Sequence, residues 1–411
     1  MTIGFNRRQI VLRILLPFAA GYFLSYLFRT INAVLSPDLV AALDLAADDL
    51  GLLTAAYFIS FGFAQLPLGL LLDRYGPRRV EAGLLCIAAL GALIFALGDS
   101  KLQLITGRAL IGLGVSACLM AAFKSFTQWF EPARLPLFNG LIMAAGGLGA
   151  LVATAPVEAA LRVTDWRGIF LFLAGFSLLV AFAILKAVPD APTQPAREDL
   201  ATQLRGIVTI FTDPFFWKVA PSAVLAQSSF ISIQSLWSGP WLRDVAGLDR
   251  MQSAEILLLI AGAMTLGFLG MGILAERLSR LGFGPTQVSA AGVFCFILTQ
   301  MVIFAQPPAG WITVVWMLFG FFGTSGIVQY AGLSQHFARH LAGRVNTAIN
   351  LLVFIIAFIL QWVSGVIIEL WPQTAAVQYS AQSYQAAFGL LLLMQMAALI
   401  WYFVPMSGKQ R

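Results

Sequence analysis

Charge is the scarcest component of this sequence: Asp, Glu, Lys and Arg together make up 11% of its 411 residues, well under half the soluble average of about 25%. A soluble fold of that length could not keep so apolar a surface in water, which excludes a soluble enzyme. Cysteine is nearly missing. Cys86, Cys118 and Cys295 lie far apart inside apolar runs, too few for a disulfide scaffold or a metal site, and buried thiols are ordinarily inert. His336 and His340 are the only histidines, both in one basic connection. No N-x-Ser/Thr sequon occurs, in keeping with a bacterial chain. The net charge of +6 comes from basic residues scattered singly or in pairs, so they speak for membrane orientation and not for nucleic-acid binding.

Apolar side chains are abundant instead, at 59% of the chain. A membrane-spanning helix uses about 20 of them, so the total furnishes roughly a dozen spans. Apolar runs fall near 14–41, 50–72, 80–98, 102–130, 135–160, 168–188, 214–242, 253–275, 285–306, 310–337, 344–370 and 384–405. Arg7, Arg8 and Arg13 ahead of the first run resemble a signal peptide, but the run continues past Arg29 to about Ala41, long enough to span as an uncleaved first helix. Between Pro189 and Asp213 the chain turns polar, with Pro189, Pro192 and Pro195 followed by Arg197, Glu198, Asp199 and Arg205. This reads as a linker with room for an interfacial helix. The expected architecture is all-α and polytopic: an N-terminal six-helix bundle over 1–188, a cytoplasmic linker over 189–213 and a C-terminal six-helix bundle over 214–411. With the N-terminus inside, seventeen Lys and Arg collect on the cytoplasmic side and five (Lys101, Arg162, Arg167, Arg243, Arg250) outside. That bias and an even span number place both termini in the cytoplasm. Arg29, Arg108 and Lys124 remain inside spans.

The two halves carry an internal repeat. After the second run the chain reads Gly69, three residues, Asp73, Arg74, Tyr75, Gly76, Pro77, Arg78, Arg79; after the eighth it reads Gly272, three residues, Glu276, Arg277, then Arg280. At the same offset Pro37 maps to Pro240, while Arg134 before span five echoes Arg344 before span eleven, and Trp166…Phe170 echoes Tyr384…Phe388. At these residues the chain resembles the major facilitator superfamily of secondary transporters. The loop signature of that family between helices two and three, G-x-x-x-D-R/K-x-G-x-R/K-R/K, is matched at Gly69, Asp73, Arg74, Gly76, Arg78 and Arg79. Arg108, Gly112 and Gly114 resemble a second family motif in helix four, with Ile111 where its glutamine usually stands. The resemblance covers essentially the whole chain and implies two pseudo-symmetric six-helix bundles, with the signature loop holding the cytoplasmic side closed. On that reading Gly69, Asp73, Arg74, Gly76, Arg78, Arg79, Arg134, Glu276, Arg277 and Arg344 are gating residues, with Asp73 near Arg134 and Glu276 near Arg344. A plain topology signal is the competing account of these charges, and Gly69 and Gly76 suit close approach and a tight turn.

Arg29 stands about midway along span one, where a guanidinium costs at least roughly 2.5–3.5 kcal/mol. Tyr22, Ser25, Tyr26, Arg29, Asn32 and Ser36 recur at spacings of three and four, a polar stripe on an otherwise apolar helix. Such a stripe suits an aqueous cavity. The segment Tyr22-x-x-x-Tyr26-x-x-Arg29 also resembles the first helix of the organophosphate/phosphate antiporter branch, where an arginine binds the substrate anion. The second arginine of that branch, on helix seven, is replaced here: the repeat sets Ser232 opposite Arg29, and span seven offers Gln227, Gln234, Trp237 and Trp241 on one face. One guanidinium with amides and indoles suits a monoanion with an organic body better than a dianionic phosphate. Tyr57, Gln329, Tyr330 and Gln361 join the substrate-binding candidates, each equally readable as interhelical glue. Arg108 is a coupling candidate that could equally bond backbone carbonyls, and Lys124 is placed to snorkel. Asp38 and Glu158 fall near the outer span ends and Glu81 near the inner, so no midplane carboxylate offers itself as a proton carrier.

The resulting expectation is a secondary transporter moving a small organic anion, a carboxylate- or phosphate-bearing metabolite, by alternating access, with the site at the midplane. It would work as a monomer in the bacterial inner membrane, with protons or a counter-substrate as coupling partner and no cofactor or metal. A proton-coupled drug exporter is the alternative, although the Gly-Pro pair of its fifth-helix motif is missing where Pro156 follows Ala155. A nitrate/nitrite porter needs glycine-rich signatures in spans five and eleven. Gly140, Gly146, Gly147 and Gly149 partly supply the first, but span eleven shows only Gly365. A membrane enzyme or receptor would need a nucleophile–base constellation or an appended soluble domain, and neither is visible.

Overall fold

A computed structural model describes residues 7–130, 135–189, 200–338, 341–372 and 379–405. The chain divides into two compact units, Met1–Asp44 with Ala56–Arg197, and Leu45–Ala55 with Glu198–Arg411. The assignment of Leu45–Ala55 to the second unit was not legible in the sequence.

In the first unit α1 (Arg7–Thr30) and α2 (Asn32–Leu43) form one bent element, followed by α3 (Ala47–Leu97) from Ala56 onward, α4 (Lys101–Val115), α5 (Cys118–Trp129), α6 (Leu135–Val152), α7 (Ala155–Ala160) and α8 (Trp166–Ala187). Local chemistry marks the starts. Ser100 accepts the Gln103 N–H ahead of α4, and Asp165 accepts the Gly168 N–H ahead of α8, each satisfying a donor that a helix N-terminus leaves open. Spans two and three run together as α3 through Gly76, whose φ of 78° and ψ of 159° lie in a region that glycine adopts without steric cost. At Gly69, in contrast, a Cβ would meet open space, so the close approach expected there is not part of this conformation.

The second unit holds α9 (Leu200–Thr212), α10 (Pro214–Ser232), a π-helical segment Ile233–Trp237, α11 (Ser238–Asp244), α12 (Arg250–Ser279), α13 (Pro285–Phe304), α14 (Ile312–Phe322), α15 (Val328–His336), α16 (Ala342–Glu369) and α17 (Ala381–Phe403). Helix α9 occupies the stretch where an interfacial helix was anticipated. Asp213 caps α10, and Asp249 with Gln252 closes a capping box on α12. Leu45–Ala55 belongs to this unit because its backbone is tied to α16. The Ala47 N–H donates to Glu369 Oε2 at 3.0 Å, Gly365 packs on the Ala47 carbonyl, and Gly51 packs on the Gln361 carbonyl.

All twelve apolar runs lie on helices. Among the described residues eight helices are long and apolar enough to cross a membrane, and the bent pair Leu12–Thr30 with Asn32–Leu43 makes a ninth. The expected spans over 50–72, 135–160 and 214–242 correspond to the first half of α3, to α6 with α7, and to α10 with the π-helical segment and α11. The chain is an integral membrane protein with an all-helical fold.

Candidate functional site

Arg29 occupies the last turn of α1, where the helix bends by 50°. No proline explains the break, since Pro17 and Pro37 lie elsewhere. The carbonyl of Phe28, which in an unbroken helix would serve the N–H of Asn32, accepts Arg108 Nη1 at 2.7 Å, and Thr30 Oγ1 bonds back to the Tyr26 carbonyl at 3.0 Å. A side chain inserted into the i→i−4 ladder and a back-bonding threonine are both recognised causes of helix bending. Arg108 is fully buried and works here as a backbone ligand. The polar stripe therefore does not run straight, because Asn32 and Ser36 lie on α2, beyond the bend.

Aromatic rings clasp the guanidinium of Arg29, which is 7% exposed. It lies 4.4 Å from the centroid of Tyr26 and 5.5 Å from that of Phe61. Tyr57 stacks on Phe61, donates its O–H to the Ser25 carbonyl at 3.1 Å, and presents its ring to Arg108 at 5.1 Å. Tyr22 meets Tyr26 edge to face and reaches Met143 Sδ at 3.6 Å. Each desolvated cation–π contact contributes about 0.5–2 kcal/mol, and the C-terminal end of α1 adds the favourable end of a helix dipole. Four predicted residues, Tyr22, Tyr26, Arg29 and Tyr57, thus meet at one helix break.

In the second unit the predicted residues gather around two further irregularities. The π-helical segment carries Gln234 and Trp237, both buried. Trp237 Nε1 donates to the Gln361 carbonyl and Ser235 Oγ to Gln361 Oε1, each at 3.1 Å. A 3₁₀ turn, Ser325–Ile327, interrupts span ten just ahead of Gln329 and Tyr330, and Gln227 Oε1 lies against Gly326 of that turn. Gln329 is fully buried, and among the described residues neither end of its amide has a hydrogen-bond partner; Gln361 Nε2 has none either. A buried amide left in that condition costs about 1–3 kcal/mol. Helix irregularities of these kinds often mark functional positions.

The gating candidates are more dispersed. Arg78 donates to the Leu185 carbonyl at the end of α8, Arg74 lies over the Tyr75 ring, and Arg79 and Arg277 are exposed. Glu276 pairs with Arg280 at 2.7 Å on the exposed end of α12, and Arg344 lies against Gly206 of α9. The Asp73 side chain and Arg134 fall outside the described residues. Sequence reasoning missed a polar chain in the second unit. Tyr384 O–H donates to Asp244 Oδ2 at 2.6 Å, the Tyr379 N–H donates to the same oxygen, and Tyr379 O–H donates to Glu369 Oε2 at 2.6 Å. Burial raises the Asp244 carboxyl above its ordinary value, against the lowering by Tyr384 and Arg243. The spacing of these residues across two connections gave no local signal.

A search of curated proteins and solved structures finds transporters. The chain is 24% identical to a probable sulfoacetate transporter of Cupriavidus necator over 70% of this chain and 69% of that one. It is 28% identical to a probable L-galactonate transporter of Escherichia coli over 43% of this chain and 38% of that one. Fungal efflux pumps also match, one of them over 34% of this chain. A bacterial homologue of the human lysosomal transporter Spinster, solved inward-facing and unoccupied, superposes with a TM-score of 0.78 at 15% identity, covering 97% of both chains. At that identity the likeness speaks for the fold alone. The family model described as Major Facilitator Superfamily matches residues 18–361, and the chain belongs to that superfamily as a secondary transporter of small molecules, not an enzyme.

Proposed function

We propose that this transporter carries a small organic anion, bearing a carboxylate or a related acidic group, by alternating access. The observation that carries this reading is Arg29: a buried guanidinium at the end of a broken helix, seated on the rings of Tyr26 and Phe61 with Tyr22 and Tyr57 beside it. Aromatic faces attract a cation through the ring quadrupole, and the planar fork of guanidinium meets a carboxylate by two parallel hydrogen bonds. In membrane transporters, broken helices of this kind recur at substrate sites. Two of the relatives are named for organic anions, sulfoacetate and L-galactonate. Within the second unit Gln227, Gln234, Trp237, Gln329, Tyr330 and Gln361 are further candidates for polar and stacking contacts to a substrate. The basic bias of the sequence supports cytoplasmic termini, and we place the protein in a bacterial inner membrane as a monomer.

The test replaces Arg29. Arg29→Gln keeps hydrogen-bonding capacity and removes the charge. The variant should fold, fail to take up the anion in proteoliposomes, and lose the rise in melting temperature that a bound ligand confers on the native state. Arg29→Lys should restore only part of the uptake, since an ammonium lacks the planar two-point contact. Sulfoacetate and galactonate are the first probes. Normal uptake by Arg29→Gln would sink the binding role; a variant that does not fold would make Arg29 a structural charge instead.

A further inference from the structure

We propose that Glu81 carries the coupling proton of this transporter: its carboxyl sits in a closed niche between α3, α1 and α5, holds a proton there, and releases it when the niche opens to water. The substrate half of the proposal rests on the organic-anion reading above; the carboxyl half rests on geometry alone.

Glu81 is 0% exposed. It lies five residues past the break at Gly76, about 7 Å along the helix of the third span. The niche exists because position 21 has no side chain. A methyl group at Gly21 would overlap Glu81 Oε1, and Cys118 Sγ lies 3.7 Å from the same point. Among the described residues neither carboxyl oxygen of Glu81 has a hydrogen-bond partner of ordinary strength. Among the described residues the titratable group set against it is the Cys118 thiol on α5, and the charge of Arg29 on α1 acts on that thiol. A thiol is a weak donor, and a carboxylate so enclosed would lose its hydration with little in return, whereas the neutral acid avoids that loss. Intramembrane ionisable side chains of this kind are functional by default.

Helix α1 connects this niche to the anion site. Gly21 immediately precedes Tyr22, and Tyr22, Tyr26 and Arg29 follow on the same helix. Movement of α1 as an anion engages Arg29 therefore also moves the wall of the Glu81 niche, one element biased from both places. The proton balance is simple. Water on the side where the niche opens gives one proton to the carboxylate, the acid form stays closed through the transition, and the proton returns to water on the other side. No bond in the substrate changes; a monoanion such as galactonate with one proton moves no net charge, whereas sulfoacetate, a dianion at neutral pH, with one proton moves one negative charge.

The experiment uses the full chain in nanodiscs and in proteoliposomes. The infrared spectrum should contain the carbonyl stretch of a protonated carboxyl that disappears in Glu81→Gln and shifts in Cys118→Ser, which sets a stronger donor against the same group. Glu81→Gln should keep exchange of labelled anion for unlabelled anion within about twofold and lose pH-gradient-driven accumulation by about tenfold or more. The proposal is overturned by a wild-type spectrum without such a band, by a band that Cys118→Ser leaves in place, by gradient-driven accumulation intact in Glu81→Gln, or by loss of exchange and accumulation together. Should Glu81→Gln fail to fold, the Cys118→Ser shift and its effect on accumulation decide. If wild type neither exchanges nor accumulates sulfoacetate or galactonate, the anion reading falls, while the infrared test still decides whether Glu81 holds a proton.

Discussion

Replacing Gly149 with alanine should loosen the seat of α1 on α6, the contact that positions Arg29. A Cβ at Gly149 would overlap the Phe23 carbonyl oxygen and lie 2.9 Å from the Phe23 carbonyl carbon, which are backbone atoms of α1 with no rotamer to escape into. At Gly146, on the same helix, the new methyl would lie 2.6 Å from Tyr22 Cε1 and 2.8 Å from Tyr26 Cδ2, rings that can turn. At Gly140 it would meet nothing within 4 Å. All three lie in α6, so the gain in helix propensity, about 0.5–1 kcal/mol, is common to them. Overpacking costs about 1–3 kcal/mol, the upper end where rigid atoms must move. Gly149→Ala should therefore fall about 2–3 kcal/mol below Gly140→Ala, and Gly146→Ala about 1 kcal/mol below it. For a chain of this length each kcal/mol corresponds to about 1–2 °C of melting temperature. Scanning fluorimetry in detergent reads that order directly. Gly146→Ala presses on Tyr22 and Tyr26 and should raise KM for the transported solute. A Gly149→Ala protein melting at or above Gly140→Ala would refute the claim that α1 and α6 touch through backbone at this point.

Charged groups carry the remaining predictions. Burial raises the Asp244 carboxyl, so the folded state holds that proton more tightly than the unfolded chain. The stability it contributes is complete below the ordinary aspartate range and is lost as pH rises through the elevated value. Asp244→Asn keeps an acceptor for Tyr384 and should flatten the dependence of melting temperature on pH above about 4; an unchanged slope would point to another group. For the gate, the single changes Glu276→Arg and Arg344→Glu should each slow transport and the double swap should recover it. The exposed Glu276–Arg280 pair contributes at most about 1 kcal/mol, so Arg280→Ala should leave stability unchanged. Failure of the swap to recover transport would reject a Glu276–Arg344 gate.

The sequence alone determined the class of this protein. Scarce charge and twelve apolar runs leave only a helical membrane protein, because lipid accepts backbone only when its polar groups are satisfied within the segment. The signature around Asp73 and the six-plus-six repeat carried the family, and the cost of a mid-span guanidinium singled out Arg29. The aromatic cluster was legible in part: Tyr22, Tyr26 and Arg29 share a helical face, which periodicity shows, while Tyr57 and Phe61 reach it from another helix. Tertiary structure decided the rest. The bend beside Arg29 depends on Arg108, eighty positions away, taking a carbonyl from the ladder. Glu81 reads as an inner-end charge until Gly21 and Cys118 are seen to enclose it. Ala47 belongs with Glu369 and Tyr379 although no local pattern links them. Periodicity reports which face a residue occupies on its own helix; what faces it there is set by helix packing across long separations in the chain.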